Sequence, residues 1–255
     1  MRWLASITLV ALTGCASVSE PPAEIALPYV KLFSENEPGN ALPNGWRLWT
    51  LSRFKKSTEY KLVDSDGRTA VKAQADAAAS GLVHVLNIDP LQYPLLNWQW
   101  KVDDLIKTAN NTTAHLEDSP VRVVVSFAGD IDTLPLDERM FFDNMRLLTK
   151  QTLPFATLMY IWENRAPRDT VLPNLHTSRI KMIVAESGRE KIGVWQDITR
   201  NVVEDYKRAF GEVPGRITAI AVMTDTDNTG ENARAWYGDI VFRRIAPPRT
   251  MFVTD

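Results

Sequence analysis

The sequence predicts a mainly β protein, an antiparallel β-sandwich with two helical insertions. Three observations lead to this prediction. Apolar and polar residues alternate with a period of two in about ten segments after residue 29, which is typical of half-buried strands. Only two segments have helical spacing instead. Strands and helices do not alternate in the way that builds parallel sheets, so a sandwich is favoured over an α/β fold.

The predicted strands follow one another along the chain. Residues 60–63 and 69–73 flank Asp64-Ser-Asp-Gly67, whose Asp-Gly pair is a turn signal, so these two runs are expected to form a hairpin. Prolines fall at the edges of the alternating runs, where a missing N–H does least damage. The other predicted strands are residues 46–51, 81–88, 95–102, 121–128, 156–162, 178–186, 217–224 and 235–243.

Two segments interrupt the strand pattern and are predicted to be helices. Residues 136–151 place apolar side chains mostly at helical spacing, with acidic residues near the start. Residues 201–210 begin at Asn201, a favourable N-cap, and are followed by Gly211 as a stop signal. Both helices are expected to be insertions between strands.

The composition is that of an ordinary globular protein. Of the 255 residues, 45% are hydrophobic and 24% charged, which excludes a mainly disordered or fibrous chain. The length suits one large β domain. The net charge of -2 argues against a dedicated nucleic-acid binder, because phosphate contacts need a basic face. The single cysteine excludes an intrachain disulfide and a multi-cysteine zinc site.

The N-terminus has the features of a signal peptide over residues 1–14. Arg2 supplies a positive charge, and the apolar stretch that follows is too short to span a bilayer. It ends in Leu12-Thr13-Gly14-Cys15, which resembles the lipobox of bacterial lipoprotein precursors. In that family the Cys thiol is diacylated, the signal is cut before the Cys, and the new amine is acylated, commonly with palmitate. An ordinary secretory signal with a chance Cys is the alternative.

The residues after Cys15 indicate where such a lipoprotein would be sent. Ala16 and Ser17, with no Asp at the second mature position, resemble the outer-membrane pattern of Gram-negative lipoproteins. Several acyl chains together anchor a protein stably. We therefore expect a lipidated Cys and flexible tether over residues 15–28, one periplasmic domain over 29–246 and a C-terminal tail over 247–255, on the periplasmic face of the outer membrane.

Several reaction classes lack their usual signatures in this sequence. There is no G-x-S-x-G, H-E-x-x-H, Walker or G-x-G-x-x-G motif. His84, His115 and His176 lie far apart without ligand spacing. Cys15 would be consumed by the anchor, so an enzyme would have to use carboxylates, Tyr, Lys, Arg or a bound ion. No cofactor is predicted, apart from a structural calcium ion.

A pair of tryptophans forms the first candidate binding feature. Trp98 and Trp100 lie two apart in a predicted strand, so both indoles point to one face, while Asn97, Gln99 and Lys101 point to the other. Two aromatic platforms on one sheet face could stack on sugar rings, whose C–H faces suit an apolar surface. The alternative is that both indoles fill the core between the sheets.

A charged residue inside a predicted strand forms the second feature. Arg122 lies among β-branched residues, on the face opposite Val121 and Val123, and an acidic pair that includes Asp118 precedes the strand. If that face is buried, the guanidinium needs a carboxylate partner, either Asp118 or an acid on a neighbouring strand. A structural ion pair and an anion-binding arginine are both open at this point.

A D-x-D-x-T-G sequence at the end of a predicted strand forms the third feature. The carboxylates of Asp225 and Asp227 share a face at roughly 7 Å on an extended chain, a separation that carboxylate catalysis can use. The order also copies the opening of a calcium loop, but Trp236 stands at position twelve instead of a bidentate Glu. Acids that cap turns, a site for calcium or a polar ligand, and catalysis are the three alternatives.

Motifs spread over residues 40–243 resemble, as a set, one bacterial family, the domain of unknown function 3047. They are residues 42–46, 94–102, 118–127, 160–164, 205–206, 210–211, 225–229 and 235–240. The resemblance implies no established activity. The architecture is similar to jelly-roll carbohydrate-binding modules and galactose-binding-like domains, which often hold a structural calcium near the chain ends. By that resemblance, Asp239 is the residue that could bind calcium, together with Glu35.

The function expected from the sequence is therefore binding. A lipid-anchored periplasmic cell-envelope protein would bind a saccharide or envelope glycan on one face of the sandwich, with no nucleic-acid partner. A carboxylate-dependent polysaccharide hydrolase or lyase is the alternative, as is a non-catalytic assembly scaffold of the envelope. The expected stacking residues are Trp98, Trp100 and Trp162, and the expected polar contacts are Asp118, Arg122, Asp225, Asp227 and Asn228.

Overall fold

The chain folds as two β-sheets packed face to face, as seen in a computed structural model. The structure describes residues 26–50, 52 and 54–245. The proposed signal peptide, Cys15, most of the tether and the tail over 247–255 lie outside the described residues, so the domain boundaries at both ends stay predictions.

Within the described residues the chain forms twelve strands and two α-helices. The strands are β1 (Arg47–Thr50), β2 (Glu59–Asp64), β3 (Thr69–Asp76), β4 (Ala79–Ile88), β5 (Leu95–Val102), β6 (Ser119–Phe127), β7 (Ala156–Glu163), β8 (Val171–Pro173), β9 (Ile180–Ser187), β10 (Gln196–Asn201), β11 (Ile217–Asp225) and β12 (Asn232–Arg243). The helices are α1 (Leu136–Thr149) and α2 (Val202–Phe210). The predicted mainly β sandwich with two helical insertions is confirmed.

The strands divide into a seven-stranded and a five-stranded sheet. The seven-stranded sheet has the order β1-β4-β11-β6-β7-β9-β8, and the five-stranded sheet has the order β10-β5-β12-β3-β2. Neighbouring strands are antiparallel except β7 and β9, which run parallel. The sequence does not predict this one parallel pair, because period-two alternation reports which face a residue occupies and not the direction of the partner strand.

Local sequence signals explain several boundaries. Asp66 and Gly67 adopt positive φ in the β2–β3 turn, which is the conformation that an Asp-Gly hairpin turn requires. The Asn201 side chain accepts hydrogen bonds from the amides of Val203 and Glu204 in the first turn of α2, and Gly211 ends that helix in the left-handed conformation. Strands β8 and β10 were not predicted, since β8 has three residues and β10 buries only Ile198.

The core lies between the two sheets and is rich in aromatic side chains. Trp98 and Trp100 from β5 meet Tyr160 and Trp162 from β7, with ring centroids 4.9 Å apart for Trp98 and Tyr160. Tyr237 of β12 is also fully buried there. Inward residues of both sheets therefore fill one continuous core, and the outer face of each sheet is left to other elements or to solvent.

Helix α1 and the residues after it lie over the outer face of the seven-stranded sheet. Phe142 is the buried residue of this helix. The Glu138 carboxylate accepts hydrogen bonds from the Thr177 hydroxyl and the Ser178 amide, which fixes the start of the helix to the β8–β9 connection. Among the described residues, no helix is long and apolar enough to cross a membrane. The end of α1 therefore forms part of one side of a groove on this face.

Candidate functional site

A groove runs along the outer face of the seven-stranded sheet. It consists of two adjoining cavities of about 510 and 420 Å³. The floor carries Val124 of β6, Met159 of β7, and Ala221 and Met223 of β11. The sides are formed by β1, by the end of α1 with the segment that follows it, and by polar loops at one end. A groove of this size, which combines an apolar floor with polar side chains, has the form of a small-ligand site.

Trp49 is the aromatic side chain of the groove and contributes to both cavities. It is half-buried on the edge strand β1, where it pairs in register with Gly81 of β4. A Cβ atom at Gly81 would lie 3.1 Å from the Trp49 ring and 2.7 Å from the Val222 carbonyl oxygen. The missing side chain at Gly81 therefore gives the indole room to lie close against the sheet.

Gly81→Ala is expected to lower both stability and ligand affinity. The new methyl group clashes with the backbone of β11, so the strands must shift, at a cost of about 1–3 kcal/mol. The Trp49 ring would move with them. Thermal unfolding and ligand titration of the variant check this, with Gly39→Ala as the control, because a Cβ at Gly39 meets no atom within 4 Å. Equal melting temperatures for the two variants would contradict the packing described.

A buried ion pair lies beneath the polar end of the groove. The Arg122 guanidinium donates to both carboxylate oxygens of Asp225, at 2.8 and 3.1 Å. It also donates to the Glu117 carbonyl at 3.0 Å and to the Asn111 side chain at 3.4 Å. Arg122 is 2% exposed. Of the two interpretations of this arginine, the structure supports the structural ion pair, because its donors are engaged by protein groups.

The D-x-D-x-T-G segment is held in place by Asp118. The Asp118 carboxylate accepts hydrogen bonds from the amide of Asn228 at 3.3 Å and from the amide and hydroxyl of Thr229 at 2.7 and 2.8 Å. Asp118 is fully buried, so it organises the loop rather than meeting a ligand. The side chains of Asp227 and Asn228 remain accessible at the groove, and Lys55 lies 2.5 Å from Asp227.

Three carboxylates come close enough together to suggest a cation. Asp118, Asp225 and Asp227 each place an oxygen within 4.8 Å of the others. Their oxygens already face protein donors, since Asp225 binds Arg122 and Asp227 binds Lys55. A calcium ion here would have to displace these cations, so the donor set does not fit one.

Asp239, the other calcium position expected from the sequence, contacts the N-terminal segment. Both oxygens of Asp239 accept hydrogen bonds from Ser34, one from its amide at 3.0 Å and one from its hydroxyl at 2.6 Å. Asp239 thereby fastens the N-terminal segment to β12. Calcium binding by Asp239 with Glu35 stays a prediction.

Burial raises the pKa of Asp225 to about 6, although Arg122 opposes this rise and the nearby charge of Asp118 adds to it. The folded protein then keeps this proton to a higher pH than the unfolded chain does. Its contribution to stability therefore falls as the pH rises from about 4 to about 6. We expect the Asp225 carboxyl carbon to titrate near pH 6 by NMR. A midpoint below 4 would contradict a desolvated site.

The prediction that Trp98, Trp100 and Trp162 form exposed stacking surfaces is wrong. Trp98 is 1% exposed, and Trp100 and Trp162 are fully buried. All three lie in the core between the sheets, because the opposite face of β5 carries the polar residues and faces outward. They cannot stack on a ligand without unfolding the sandwich.

The sequence interpretation missed several residues of the groove. Trp49 lies within the predicted strand over residues 46–51, and strand alternation alone does not mark it as a stacking residue. Its distinguishing feature is an aromatic side chain on a short strand, next to the exposed Leu48. Lys55, Glu117, Gln151 and His176 lie in connections that only the tertiary structure brings to the sheet face. The other two histidines lie elsewhere: His84 is buried against Trp46, and His115 is exposed.

A family model described as "Protein of unknown function (DUF3047)" matches residues 44–241, most of the chain. The chain belongs to the DUF3047 family. The family resemblance found in the sequence motifs is confirmed. The described part of the groove falls within the matched residues, so it belongs to the family domain itself. Among curated proteins, none matches the DUF3047 chain significantly.

Solved structures similar to this DUF3047 chain include carbohydrate-binding modules. A point mutant of the family 29 module CBM29-2 is 10% identical, with a TM-score of 0.34 over 86% of this chain and 98% of that one. The family 30 module of a cellulosomal cellulase of Clostridium thermocellum is 10% identical, with a TM-score of 0.37 over 88% and 97%. The K2 adhesin domain of Lys-gingipain is 10% identical, with a TM-score of 0.39 over 84% and 97%. At these values the functional conclusion has to come from the groove.

Proposed function

We propose that the protein binds a saccharide in the groove on the outer face of the seven-stranded sheet. The observation that carries the proposal is Trp49, whose half-buried indole lies beside an apolar floor while polar groups stand at one end. Sugar rings have an apolar C–H face and a rim of hydroxyl groups. An aromatic ring can stack on the apolar C–H face, and carboxylate and amide side chains such as Asp227 and Asn228 can form hydrogen bonds with the hydroxyl groups.

The charge of the groove favours a neutral glycan. Basic and acidic side chains are balanced along its two cavities, and the charged lining residues are Arg47, Lys55, Arg122, Glu117, Asp225 and Asp227. Two of the acids are already paired, Asp225 with Arg122 and Asp227 with Lys55. A polyanion would gain little from this balance, since anion binding depends on an excess of positive charge.

The geometry supports binding better than carboxylate catalysis. A hydrolase needs one carboxylate with a raised pKa and a second one that can reach the scissile bond or a water. Asp225 has the raised pKa, but it is 4% exposed and engaged by Arg122. Asp118 is fully buried and accepts hydrogen bonds from the amides of Asn228 and Thr229 in the loop after β11.

Calorimetric titration tests the proposal. The mature domain would be titrated with neutral cello-, chito-, xylo-, manno- and malto-oligosaccharides of one to six units. We expect saturable binding of at least one series with a dissociation constant between about 1 μM and 1 mM, corresponding to roughly 4–8 kcal/mol. Absence of heat and of NMR shifts with every series at millimolar concentration would overturn saccharide binding.

We further propose that Cys15 carries the lipid anchor and that the domain faces the periplasm from the outer membrane. The support is the lipobox-like sequence before Cys15 and the absence of Asp after it. Cys15→Ser is expected to abolish labelling by radioactive palmitate and to leave the protein at the mass of the uncleaved precursor, because both acylation and cleavage depend on the thiol. Ser17→Ala, which leaves the thiol in place, is the control. Continued labelling of Cys15→Ser would contradict the anchor.

A further inference from the structure

We infer that the ligand is a linear oligosaccharide whose consecutive units occupy both cavities and pass beneath a crossing made by Gln151. This inference rests on the proposed saccharide binding and specifies the length and shape of the ligand. It follows from how the two cavities adjoin, from how far they extend and from what lies over their junction.

The two cavities form one path along the strands. They adjoin at four residues that line both, Trp49, Gln151, Leu153 and Met159. The first cavity reaches Ser126 of β6, and the second reaches Arg122 of the same strand. Four residues of extended chain cover roughly 13 Å. The path therefore runs parallel to β6, and its length exceeds that of one sugar ring.

The volume of each cavity also exceeds the volume of a single sugar ring. The cavities of about 510 and 420 Å³ each correspond to roughly 14 or more water volumes. A hexose ring with its hydroxyl groups displaces fewer waters than either cavity holds. One ring would leave most of the groove hydrated, whereas adjoining units of a chain would place one ring on each side of Trp49.

Gln151 crosses the path at the junction. It follows α1 and leads toward β7, yet its side-chain amide donates to the Thr50 carbonyl of β1 at 3.2 Å. The exposed Gln151 side chain therefore reaches from the α1–β7 connection to β1, at the junction of the two cavities. A chain that passes beneath this side chain would be retained by a single exposed hydrogen bond.

The two ends of the path differ in chemistry. The end near Ser126 and Thr157 offers hydroxyl groups and an apolar floor. The other end offers the charged side chains of Glu117, Asp227 and Lys55. A linear saccharide has two chemically different ends, so it would bind in one direction.

A length series of the binding sugar tests the inference. With units from one to six of whichever series binds in calorimetry, we expect the dissociation constant to fall at least tenfold between the monosaccharide and the trisaccharide and then to level off. Equal affinity for the monosaccharide and the trisaccharide would overturn the two-cavity ligand while leaving saccharide binding intact. Absence of binding at every length would overturn the proposed function, and this inference with it.

The crossing is tested by the rate of dissociation. Gln151→Ala removes the contact with Thr50 at an exposed position, so the fold should be kept. We expect the hexasaccharide to dissociate at least fivefold faster from this variant and the monosaccharide to be unaffected, measured by surface plasmon resonance. Gln196→Ala, on the five-stranded sheet, is the matched control and should change neither rate. Unchanged dissociation of the hexasaccharide from Gln151→Ala would overturn the crossing.

Discussion

Arg122→Met is expected to lower the free energy of unfolding by about 3–5 kcal/mol at pH 7. The substitution removes the cation that engages both oxygens of Asp225 and leaves a carboxylate buried without its charged partner. Asn111 and the Glu117 carbonyl lose a donor as well. Urea denaturation at pH 7 measures the loss. Affinity for the saccharide should fall too, since the loop that carries Asp227 and Asn228 depends on this network.

The same variant has a defined pH dependence and a matched control. Without Arg122 the pKa of Asp225 should rise further, because its main opposing charge is gone, so the deficit in stability should be smaller at pH 5 than at pH 7. Arg234→Met breaks an exposed pair with Asp103 and should cost only about 0–1 kcal/mol. Similar losses in the free energy of unfolding for the two variants would contradict the conclusion that the buried Arg122 organises this part of the fold.

Trp49→Ala is expected to weaken saccharide binding by roughly 30-fold or more, equivalent to about 2 kcal/mol. The indole is the aromatic surface that both cavities share, and its removal leaves the sugar rings against an enlarged, hydrated groove. Calorimetric titration with the tightest oligosaccharide measures the change. Because Trp49 is half-buried on an edge strand, the fold should survive the substitution.

Trp195→Ala is the control for Trp49. Trp195 is also half-buried, but its indole N–H donates to Asp66, and Arg68 and Lys101 lie over its ring on the outer side of the five-stranded sheet. Its loss should leave affinity unchanged. Loss of binding in Trp195→Ala with normal binding in Trp49→Ala would place the ligand on the five-stranded sheet and would contradict binding in the groove.

Much of the fold could be predicted because its signals are local. The Asp-Gly turn before β3 and the Asn201 cap of α2 each depend on a few neighbouring residues, and both appear as expected. The parallel pairing of β7 and β9 could not be predicted, because a strand's partner depends on residues distant in sequence. The edge strand β10 was missed because its single inward residue, Ile198, gives little pattern to detect.

Only the part of the candidate site that lies at the end of β11 could be predicted from the sequence. Asp225, Asp227 and Asn228 follow each other in sequence, and Arg122 meets them because β6 and β11 are neighbours in the sheet. Alternation placed Trp98 and Trp100 on one face of β5 but did not state which face is covered. The polar residues on the opposite face, including Gln99, were the signal that the indoles point inward.

The most direct test of saccharide binding in the groove is an NMR titration of the indole N–H resonances. The mature domain would be titrated with the oligosaccharide that binds best. We expect the Trp49 resonance to shift saturably, with the Trp195 resonance and those of the buried Trp98 and Trp100 nearly unchanged. Saturable binding that shifts Trp195 and leaves Trp49 unmoved would contradict the assignment of the groove as the binding site.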